Sequence, residues 1–521
     1  MSGQAAPAQG AAVQPYRGLL ARSLAYWELL PLLAGSMALL LVYLLSTPVL
    51  GMPFDDSYIS LLFGRNLAEH GFLTFDGESA SAGATSLLHV AALGALIKLG
   101  VEPVKASVAL GVLLHLALVP TVYWLSWTIF RDRLAATLAG ASVAVIGFLV
   151  YDALNGLETT LFLVVSTAAA AAFLGATSER RYLVAGALVA LAVLTRPEGV
   201  LLLGAMALYY VVKPERSDAL LSQATLRRLG ALVGPSALAL IGLAAFYGAT
   251  TGSPMPGTAT AKYLFFREFE LPAQVRFEFV QGGVSSFVGP VLPWLLLAAA
   301  AIRRRETLLF AFFWSAFILL YFMLFPGGTG HYWNRYQHVF LPAIAVFGSA
   351  GLVMLLRTMR FRVWDLASAT VIGVVLLGAV GFQVNSFREN YRNDVILNET
   401  RQVGMALYLR DAVPPNDTIA THDIGAIGYY SERKVIDLVG LVDPDVIAYH
   451  DGRRLREYVD QVRPAYIVVF PTWEDRYLRL GLREDPAFEE VRVFSGGVEP
   501  FIVYKTHYEE LGVTGELAGT K

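Results

Sequence analysis

The sequence predicts a polytopic α-helical membrane protein with a small soluble α/β domain at its C-terminus. Of its 521 residues, 55% are hydrophobic and 16% are charged, whereas a soluble protein carries roughly 25% charged residues. Several apolar stretches reach about 20 residues, which is enough to cross a hydrocarbon core of ~30 Å. The net charge is −2, and no basic stripe interleaved with aromatic residues points to a nucleic-acid partner.

The chain contains no cysteine, which excludes disulfides, thiolate metal sites and a cysteine nucleophile. The first apolar stretch, Trp27 to Leu50, is too long for the hydrophobic part of a signal peptide, and no small-residue cleavage site follows it. We therefore predict three regions: a cytoplasmic tail over 1–25, a transmembrane domain over 26–386 and an extracytoplasmic α/β domain over 387–521.

Basic residues in short loops mark the cytoplasmic side of a membrane protein. The clusters are Arg303–Arg305, the arginines between Arg357 and Arg362, and the stretch from Lys213 to Arg228. Placing them inside yields about eleven spans and brings the C-terminal domain outside. The predicted location is the plasma membrane.

Segment 85–100 decides the orientation of the region that follows it. This segment has only 16 residues and carries charged or polar side chains, so we interpret it as lying against the outer surface instead of spanning. Residues 98–105 and 152–158 then face the outside, while 131–133 and 178–181 face the cytoplasm.

The C-terminal region has the composition of a soluble domain. Short β-rich runs such as "DTIATH", "KVIDLV" and "PAYIVVF" alternate with charged, helix-like stretches such as "DGRRLREYVDQV". This alternation predicts a small α/β domain. It contains neither a GxGxxG motif nor a P-loop, so we expect no nucleotide cofactor.

The adjacent carboxylates Asp55 and Asp56 follow the first apolar run, in "PFDDSYISLLFGRNLAEHG". They could simply cap the helix that begins there or lie in a solvated loop. However, two adjacent carboxylates raise each other's proton affinity, which suits a general base near neutral pH.

Three further ionisable residues interrupt apolar sequence: Glu158 in "YDALNGLETTLF", and Arg196 and Glu198 in "LAVLTRPEGVLLL". A charge inside a membrane costs a few kcal/mol, about 2.5–3.5 on insertion scales, so such residues indicate a functional site. The alternatives are an interfacial glutamate for Glu158 and a structural Arg–Glu pair at Pro197.

Lys262 in "PGTATAKYLFF" and His331, Arg335 and Tyr336 in "GGTGHYWNRYQHVFLP" would suit an anion at the outer leaflet. Arginine binds phosphate bidentately and lysine acts as a point charge. Ordinary interfacial anchoring is the alternative. His331 has no second histidine at ligand spacing, whereas a divalent cation (Mg²⁺, Mn²⁺ or Ca²⁺) between Asp56 and Glu158 is a further hypothesis.

These motifs resemble, in their order and in the side of the membrane that they share, those of the GT-C superfamily of membrane glycosyltransferases. Members of this superfamily use a sugar carried on a polyprenyl phosphate. The chain is similar to the mycobacterial cell-wall arabinofuranosyltransferases and to relatives of the protein O-mannosyltransferases. "FDDSYISLLFGRNLAEHGFLTFDG", "GLETTLF", "TRPEG", "PGTATAKY" and "GGTGHYWNRYQHVFLP" occur in the order of that family, and "THDIGAIGYYSERKVIDLVGLVDP" looks like a soluble tail of some members.

The resemblance implies roles for the residues that match. Asp55 would be the general base on an acceptor hydroxyl, and Asp56 and Glu158 would position the acceptor or hold a divalent cation. Arg196, Lys262 and Arg335, with His331 and Tyr336 beside them, would bind the donor's phosphate. One departure is that Thr329 follows the paired glycines, where several relatives have an acidic residue.

The resemblance implies an inverting glycosyltransferase. It would move a pentose such as arabinofuranose, or a hexose, from a polyprenyl-phosphate donor to an extracytoplasmic glycan, lipid or protein. Two other classes are open: a flippase or transporter of lipid-linked sugars, and a non-catalytic scaffold whose C-terminal domain binds a partner. A flippase would need a polar path between leaflets, and the ionisable residues gather instead on one side.

Overall fold

The computed structural model describes residues 27–212, 222–254, 257–359 and 363–508. The predicted cytoplasmic tail, 1–25, lies outside the described residues. Helices of six or more residues are α1 Leu29–Leu44, α2 Asp55–His70, α3 Leu87–Lys98, α4 Pro103–Phe130, α5 Arg133–Val145, α6 Gly147–Leu154, α7 Thr159–Leu174, α8 Glu179–Thr195, α9 Gly199–Val212, α10 Gln223–Thr251, α11 Gly257–Phe266, α12 Ala273–Ala298, α13 Thr307–Leu324, α14 Leu341–Thr358, α15 Val363–Asn398, α16 Gly404–Ala412, α17 Gly425–Tyr430 and α18 Leu455–Val462.

Six helical segments of the described chain are long and apolar enough to cross a membrane, or seven if the bent pair α5 and α6 forms one span. The pair bends by 57° between Val145 and Gly147. Three more helices, α1, α7 and α9, are apolar but only 14 to 16 residues long. The multi-pass helical character of the sequence prediction is confirmed, and its count of eleven spans stays a prediction.

Helix α3 lies within segment 85–100, which the sequence analysis interprets as a surface helix and not as a span. Its 12 residues extend about 18 Å at 1.5 Å per residue, well short of a ~30 Å hydrocarbon core. Val90 of α3 packs with Phe63 of α2 in a small cluster of buried apolar side chains. The segment 85–100 is therefore a short helix packed on α2, and its placement against the outer surface of a membrane stays a prediction.

The two ends of the helical bundle differ in charge. We call one the basic end, because it carries Arg303–Arg305 and Arg357. Phe130 lies there, 5.4 Å from the Arg304 guanidinium, and Asp132 forms an ion pair with Arg357. Residues 131–133 therefore lie at the same end as the basic clusters.

Helices α7, α8 and α9 run from the basic end to the opposite end. Tyr182, near the start of α8, shares a pocket with Arg303–Arg305. Glu158 precedes α7 and Glu198 precedes α9, and both line a cavity at the other end, which we call the cavity end. This relative placement is the one that the charge pattern predicts; which side of a membrane each end faces stays a prediction.

The C-terminal domain is built on a five-stranded sheet with the order β2-β1-β3-β5-β4. Its strands are β1 Thr418–Thr421, β2 Lys434–Asp437, β3 Tyr466–Val469, β4 Phe488–Phe494 and β5 Phe501–Thr506. β1, β2 and β3 are parallel, and β5 is antiparallel to both β3 and β4. The predicted α/β character is confirmed. Helix α15 continues to Asn398, so the predicted boundary at residue 387 lies inside a helix and stays a prediction.

The C-terminal domain docks onto the cavity end at two places. Helix α17 packs on α2, where Tyr429 and Tyr430 contact the ring of Tyr58. On the far side of the cavity, the aromatic ring of Phe266 in α11 packs against Trp473 and Tyr477. Between these contacts, Leu441 of the loop after β2 lines the cavity. The domain therefore contributes Leu441 to the lining of the cavity.

Candidate active site

A cavity of about 450 Å³ lies at the cavity end, between the helical bundle and the C-terminal domain. Six of the eight predicted site residues line it, namely Asp56, Glu158, Arg196, Lys262, Arg335 and Tyr336. They come from five separate segments of the sequence, so the fold brings distant polar motifs together. Asp55 and His331 are not among the lining residues.

Glu158 reaches the cavity through a tight turn between α6 and α7. Gly156 has a φ of +75°, a conformation that glycine adopts without steric cost. The Asn155 side chain accepts a hydrogen bond from the Leu157 backbone N–H at 2.9 Å, which fixes the turn. The Glu158 carboxylate then lies 3.9 Å from Nε of Arg196.

Arg196 enters the cavity because Pro197 ends α8. The residue before a proline is disfavoured in helical conformation, and Arg196 is extended, with φ −151° and ψ 142°. Its buried guanidinium donates to Glu198 at 2.7 Å. Tyr321, on α13, donates to the same carboxylate at 2.7 Å. The Arg–Glu pair at the proline, the structural alternative for these residues, is present and also lines the cavity.

Arg335 is held by an unusual loop. Tyr332, Trp333 and Asn334 have φ values of +43°, +58° and +67°, and non-glycine residues rarely adopt this left-handed conformation. The Asn334 amide donates to the Gly283 and Thr329 carbonyls. These bonds hold the turn in a conformation that it would not adopt alone.

A buried histidine fixes the same loop from the other side. His338 Nε2 lies 2.9 Å from the Trp333 carbonyl oxygen, and His338 Nδ1 lies 2.7 Å from the Asp152 carboxylate. Both side chains of this pair are 1% exposed. His338 therefore ties the Arg335 loop to α6.

Two guanidinium groups lie close to the ring of Tyr336. The Arg196 and Arg335 guanidiniums are 4.9 Å and 4.8 Å from its ring centroid, within the range of cation–π attraction. Arg335 also donates to the Tyr336 hydroxyl at 3.1 Å and to the Asp56 carboxylate at 3.4 Å. The ring and hydroxyl of Tyr336 thus contact two like charges and partly offset their mutual repulsion in a buried site.

Both guanidinium groups keep unused donors. Nη1 of Arg196, and Nε and Nη1 of Arg335, are buried and have no hydrogen-bond partner among the described residues. A buried donor without a partner costs about 1–3 kcal/mol, and more for a charged group. Two arginines with open donors in one cavity form a site that an oxyanion would complete.

Asp55 has a different environment from its neighbour. Its carboxylate is 4% exposed and accepts hydrogen bonds from the backbone N–H groups of Gly425 and Ala426, each at 2.7 Å. These groups begin helix α17 of the C-terminal domain. Burial raises the pKa of Asp55 to about 6, the two backbone bonds lower it, and the charge of Asp56 raises it again.

The remaining predicted residue, His331, packs against the tilted ring of Tyr332 and stacks on the ring of Tyr336, and it is not among the residues that line the cavity. Thr329, which departs from the acidic residue of several GT-C members, donates to the Pro326 carbonyl at 2.7 Å and is buried. It stabilises the turn before Arg335 and is not among the residues that line the cavity.

The described part of the chain places no three histidine or carboxylate side chains together as metal ligands. The carboxylates of Asp56 and Glu158 each lie within 4 Å of an arginine instead. The divalent cation between these two residues stays a prediction, and no step below is derived through it.

Sequence reasoning missed the residues that complete the cavity. Tyr321 and Tyr247 lie in strongly apolar runs, and a tyrosine in such a run is typical of a membrane helix. Leu441 belongs to the C-terminal domain, whose contact with the bundle has no signal in the sequence. The one sequence signal for Tyr321 is a hydroxyl within the apolar run "AFILLYFMLF", because a buried tyrosine hydroxyl usually has a hydrogen-bond partner.

The fold has relatives among solved structures. ArnT from Cupriavidus metallidurans bound to undecaprenyl phosphate superposes with a TM-score of 0.56 at 12% identity, over 90% of this chain and 97% of that one. Archaeal oligosaccharyltransferase AglB from Archaeoglobus fulgidus, in complex with an inhibitory peptide and a dolichol-phosphate, gives 0.51 at 12% identity, over 93% and 75%. The arabinofuranosyltransferase AftD from Mycobacteria gives 0.51 at 15% identity, over 91% and 41%.

The chain has the GT-C fold. The resemblance drawn from the sequence motifs is therefore confirmed at the level of the fold. Residues 389–514 match a family model described as a domain of unknown function (DUF8728). A search of curated proteins finds no match.

Proposed function

We propose that this protein is an inverting glycosyltransferase that moves a sugar from a polyprenyl-phosphate donor to an acceptor hydroxyl at the outer face of the plasma membrane. The observation that carries the proposal is the pair of buried arginines whose donors lack partners beside two carboxylates. A phosphate supplies the missing acceptors. A carboxylate supplies the base that the acceptor needs.

The donor's phosphate would lie against Arg335, Arg196 and Lys262. Arg335 and Arg196 are 5% and 2% exposed, so their hydrogen bonds to a phosphate would be formed out of water, where they are strongest. When the bond between the sugar and the phosphate oxygen breaks, the bonding electrons stay on the phosphate. The cations would stabilise this growing negative charge and so favour the transition state.

The base that the geometry favours is Asp56. Its side chain is 29% exposed and lines the cavity, whereas both oxygens of Asp55 already accept backbone hydrogen bonds. The acceptor oxygen would attack the anomeric carbon from the face opposite the phosphate, and its proton would pass to Asp56. Asp55, predicted from the resemblance as the base, would instead fix the position of Asp56 and of the C-terminal domain.

The bond between Asp56 and Arg335 suggests how the base is released. At 3.4 Å it is a long hydrogen bond, and a donor phosphate would compete for the same guanidinium. Once Arg335 is bound to phosphate, the Asp56 carboxylate would be free to accept a proton. Donor binding would therefore precede effective deprotonation of the acceptor.

The apolar side of the cavity suits a lipid. Leu320, Leu324 and Phe325, at the end of α13, line it together with Tyr247 of α10. Both helices belong to segments apolar enough to span a membrane. A prenyl chain could lie between them while its phosphate reaches the arginines.

Transfer of labelled sugar tests this proposal. The purified protein in lipid nanodiscs would be given polyprenyl phosphates that carry a radiolabelled pentose or hexose, with candidate glycan, lipid and protein acceptors. We expect a glycosylated product with inverted anomeric configuration and the release of polyprenyl phosphate. Asp56→Asn should abolish the transfer.

The same nanodisc preparation distinguishes the other classes. A flippase would move the labelled lipid between leaflets of proteoliposomes without forming product, and a scaffold would do neither. Product formation that persists in Asp56→Asn would contradict the assigned base, while absence of product with every donor would contradict the proposed function.

A further inference from the structure

A second pocket lies at the basic end, remote from the candidate active site. Its volume is about 300 Å³, and its walls are Tyr182, Tyr209 and Tyr210 on one side and Arg303–Arg305 with Glu306 on the other. Tyr182 is separated from Thr195, which lines the first cavity, by 13 residues of α8, or about 20 Å. The two pockets therefore open at opposite ends of the same helices.

The tyrosine wall carries a donor without a partner. Tyr210 is 4% exposed, and its hydroxyl has no hydrogen-bond partner within the described ranges. Its ring packs edge-on against Tyr182 at 5.4 Å between centroids. A buried hydroxyl of this kind usually has an acceptor, and an oxyanion in the pocket would provide one.

The opposite wall combines three cations with one carboxylate. Arg303, Arg304 and Arg305 are exposed, and their combined positive charge attracts an anion to this wall. Glu306 lines the same pocket, and its Oε2 atom is buried without a hydrogen-bond partner in the part of the chain that the structure describes. A plain anion would leave this carboxylate oxygen without a partner.

We propose that this pocket binds a phosphoethanolamine headgroup of a membrane lipid. The phosphodiester would accept hydrogen bonds from the arginines and from Tyr210, and the primary ammonium would donate to Glu306. The apolar side chains of Phe173 and Leu174 at the end of α7 also line the pocket and would contact the glycerol backbone. The site is independent of sugar transfer.

Native mass spectrometry of the full chain tests the proposal by titration with three short-chain lipids. Phosphatidylethanolamine should bind more tightly than phosphatidylcholine, whose quaternary ammonium cannot donate a hydrogen bond, and more tightly than phosphatidylglycerol, which has no ammonium. Inorganic phosphate and free phosphoethanolamine are added separately to distinguish a lipid from a soluble ligand.

Four variants assign the contacts. The double variant Arg303→Gln/Arg305→Gln should weaken phosphatidylethanolamine binding about tenfold or more, and Tyr210→Phe roughly two- to tenfold, as expected for a lost hydrogen bond. Glu306→Gln should reduce the affinity for phosphatidylethanolamine to that for phosphatidylcholine. Arg180→Gln, at an exposed position of the same end outside the pocket, should leave binding unchanged.

Three results would overturn the proposal. Equal affinity for the three lipids in wild type would exclude recognition of the ammonium. An equal loss in Arg180→Gln and in the double variant would mean unspecific attraction to the basic end. Saturation by inorganic phosphate or free phosphoethanolamine, with no lipid bound, would identify a soluble ligand instead. If the double variant does not fold, Tyr210→Phe and Glu306→Gln decide the outcome.

Discussion

Replacing Arg335 by lysine separates the charge of this side chain from its geometry. The arginine is 5% exposed, donates to Asp56 and Tyr336 through Nη2, and keeps Nε and Nη1 without partners in the described structure. Lysine retains the positive charge but cannot present two parallel N–H groups to a phosphate. The bidentate contact is therefore lost while the charge remains.

The expected loss follows from the donors that disappear. A charge-assisted hydrogen bond contributes roughly 1.5–3 kcal/mol, so Arg335→Lys should lower kcat/KM for the donor by about 10- to 150-fold. The negative charge on the phosphate grows as the sugar leaves, so part of the loss should appear in kcat. Arg335→Ala should cost more, because it removes the positive charge from the phosphate site as well as the hydrogen-bond donors.

The assay is steady-state sugar transfer in nanodiscs with varied lipid donor and fixed acceptor. Arg410→Lys is the control, because Arg410 is partly exposed, pairs with its neighbour Asp411 and lies outside the cavity. Expression and thermal unfolding are compared for all variants. Unchanged donor kinetics in Arg335→Lys and Arg335→Ala, with normal folding, would refute the reasoning and leave Arg335 as a structural residue only.

Four further outcomes are expected. Asp56→Asn should lower kcat by about 10²- to 10⁴-fold with little effect on folding, as the loss of a general base does. Burial raises the pKa of Asp55 to about 6 from its ordinary 3.8, so the folded protein binds more protons than the unfolded chain between pH 4 and 6. The free energy of unfolding should then fall by up to about 3 kcal/mol as the pH rises through that window. In Asp55→Asn, the free energy of unfolding should depend less on pH over the same range. Gly425→Ala should weaken domain docking and lower the unfolding temperature, because its Cβ would lie 2.0 Å from the Asp55 carbonyl oxygen, whereas Gly204→Ala, with open space around it, should be neutral or slightly stabilising. His338→Ala should release the loop before Arg335 and raise the donor KM at least tenfold while sparing the acceptor KM.

Each of these outcomes has a result that would contradict it. Near-wild-type transfer in Asp56→Asn would return the role of base to Asp55 or Glu158. A pH profile of Asp55→Asn parallel to wild type would show that another group titrates in that window. Equal unfolding temperatures for the two glycine variants would contradict the close contact at Gly425. An equal change in donor and acceptor KM for His338→Ala would indicate general loosening of the fold.

The amino-acid sequence predicted the class of the fold because the relevant signals are local. Apolar length marks a membrane helix, and alternation of β-rich runs with charged helical runs marks an α/β domain. The short stretch 85–100 forms a helix of only 12 residues, and its placement against the outer surface stays a prediction. The basic clusters separated the two ends of the bundle, since charged loops avoid lipid wherever they fall in the chain.

Candidate site residues could be found from sequence wherever a charge interrupts apolar residues. Glu158 and Arg196 are identified for this reason, because a buried ionisable group is costly. Arg335 is identified instead from the donor-rich run "GGTGHYWNRYQHVFLP". The sequence does not indicate a role for His338 and Asp152, although these residues hold the Arg335 loop. Each lies in a mixed sequence, and their pairing depends on two helices that are adjacent only in the folded protein.

The sequence by itself determined that this chain enters a membrane and gathers polar groups near its helix ends. Only the tertiary structure distinguishes the surroundings of Asp55 from those of Asp56. The two carboxylates are neighbours in sequence, but the start of a helix directs one toward the N–H groups of Gly425 and Ala426 and the other toward the cavity. The hydrogen bonds of Asp55 come from a segment about 370 residues away in the sequence. A local sequence pattern therefore cannot predict which buried donor will bind which acceptor.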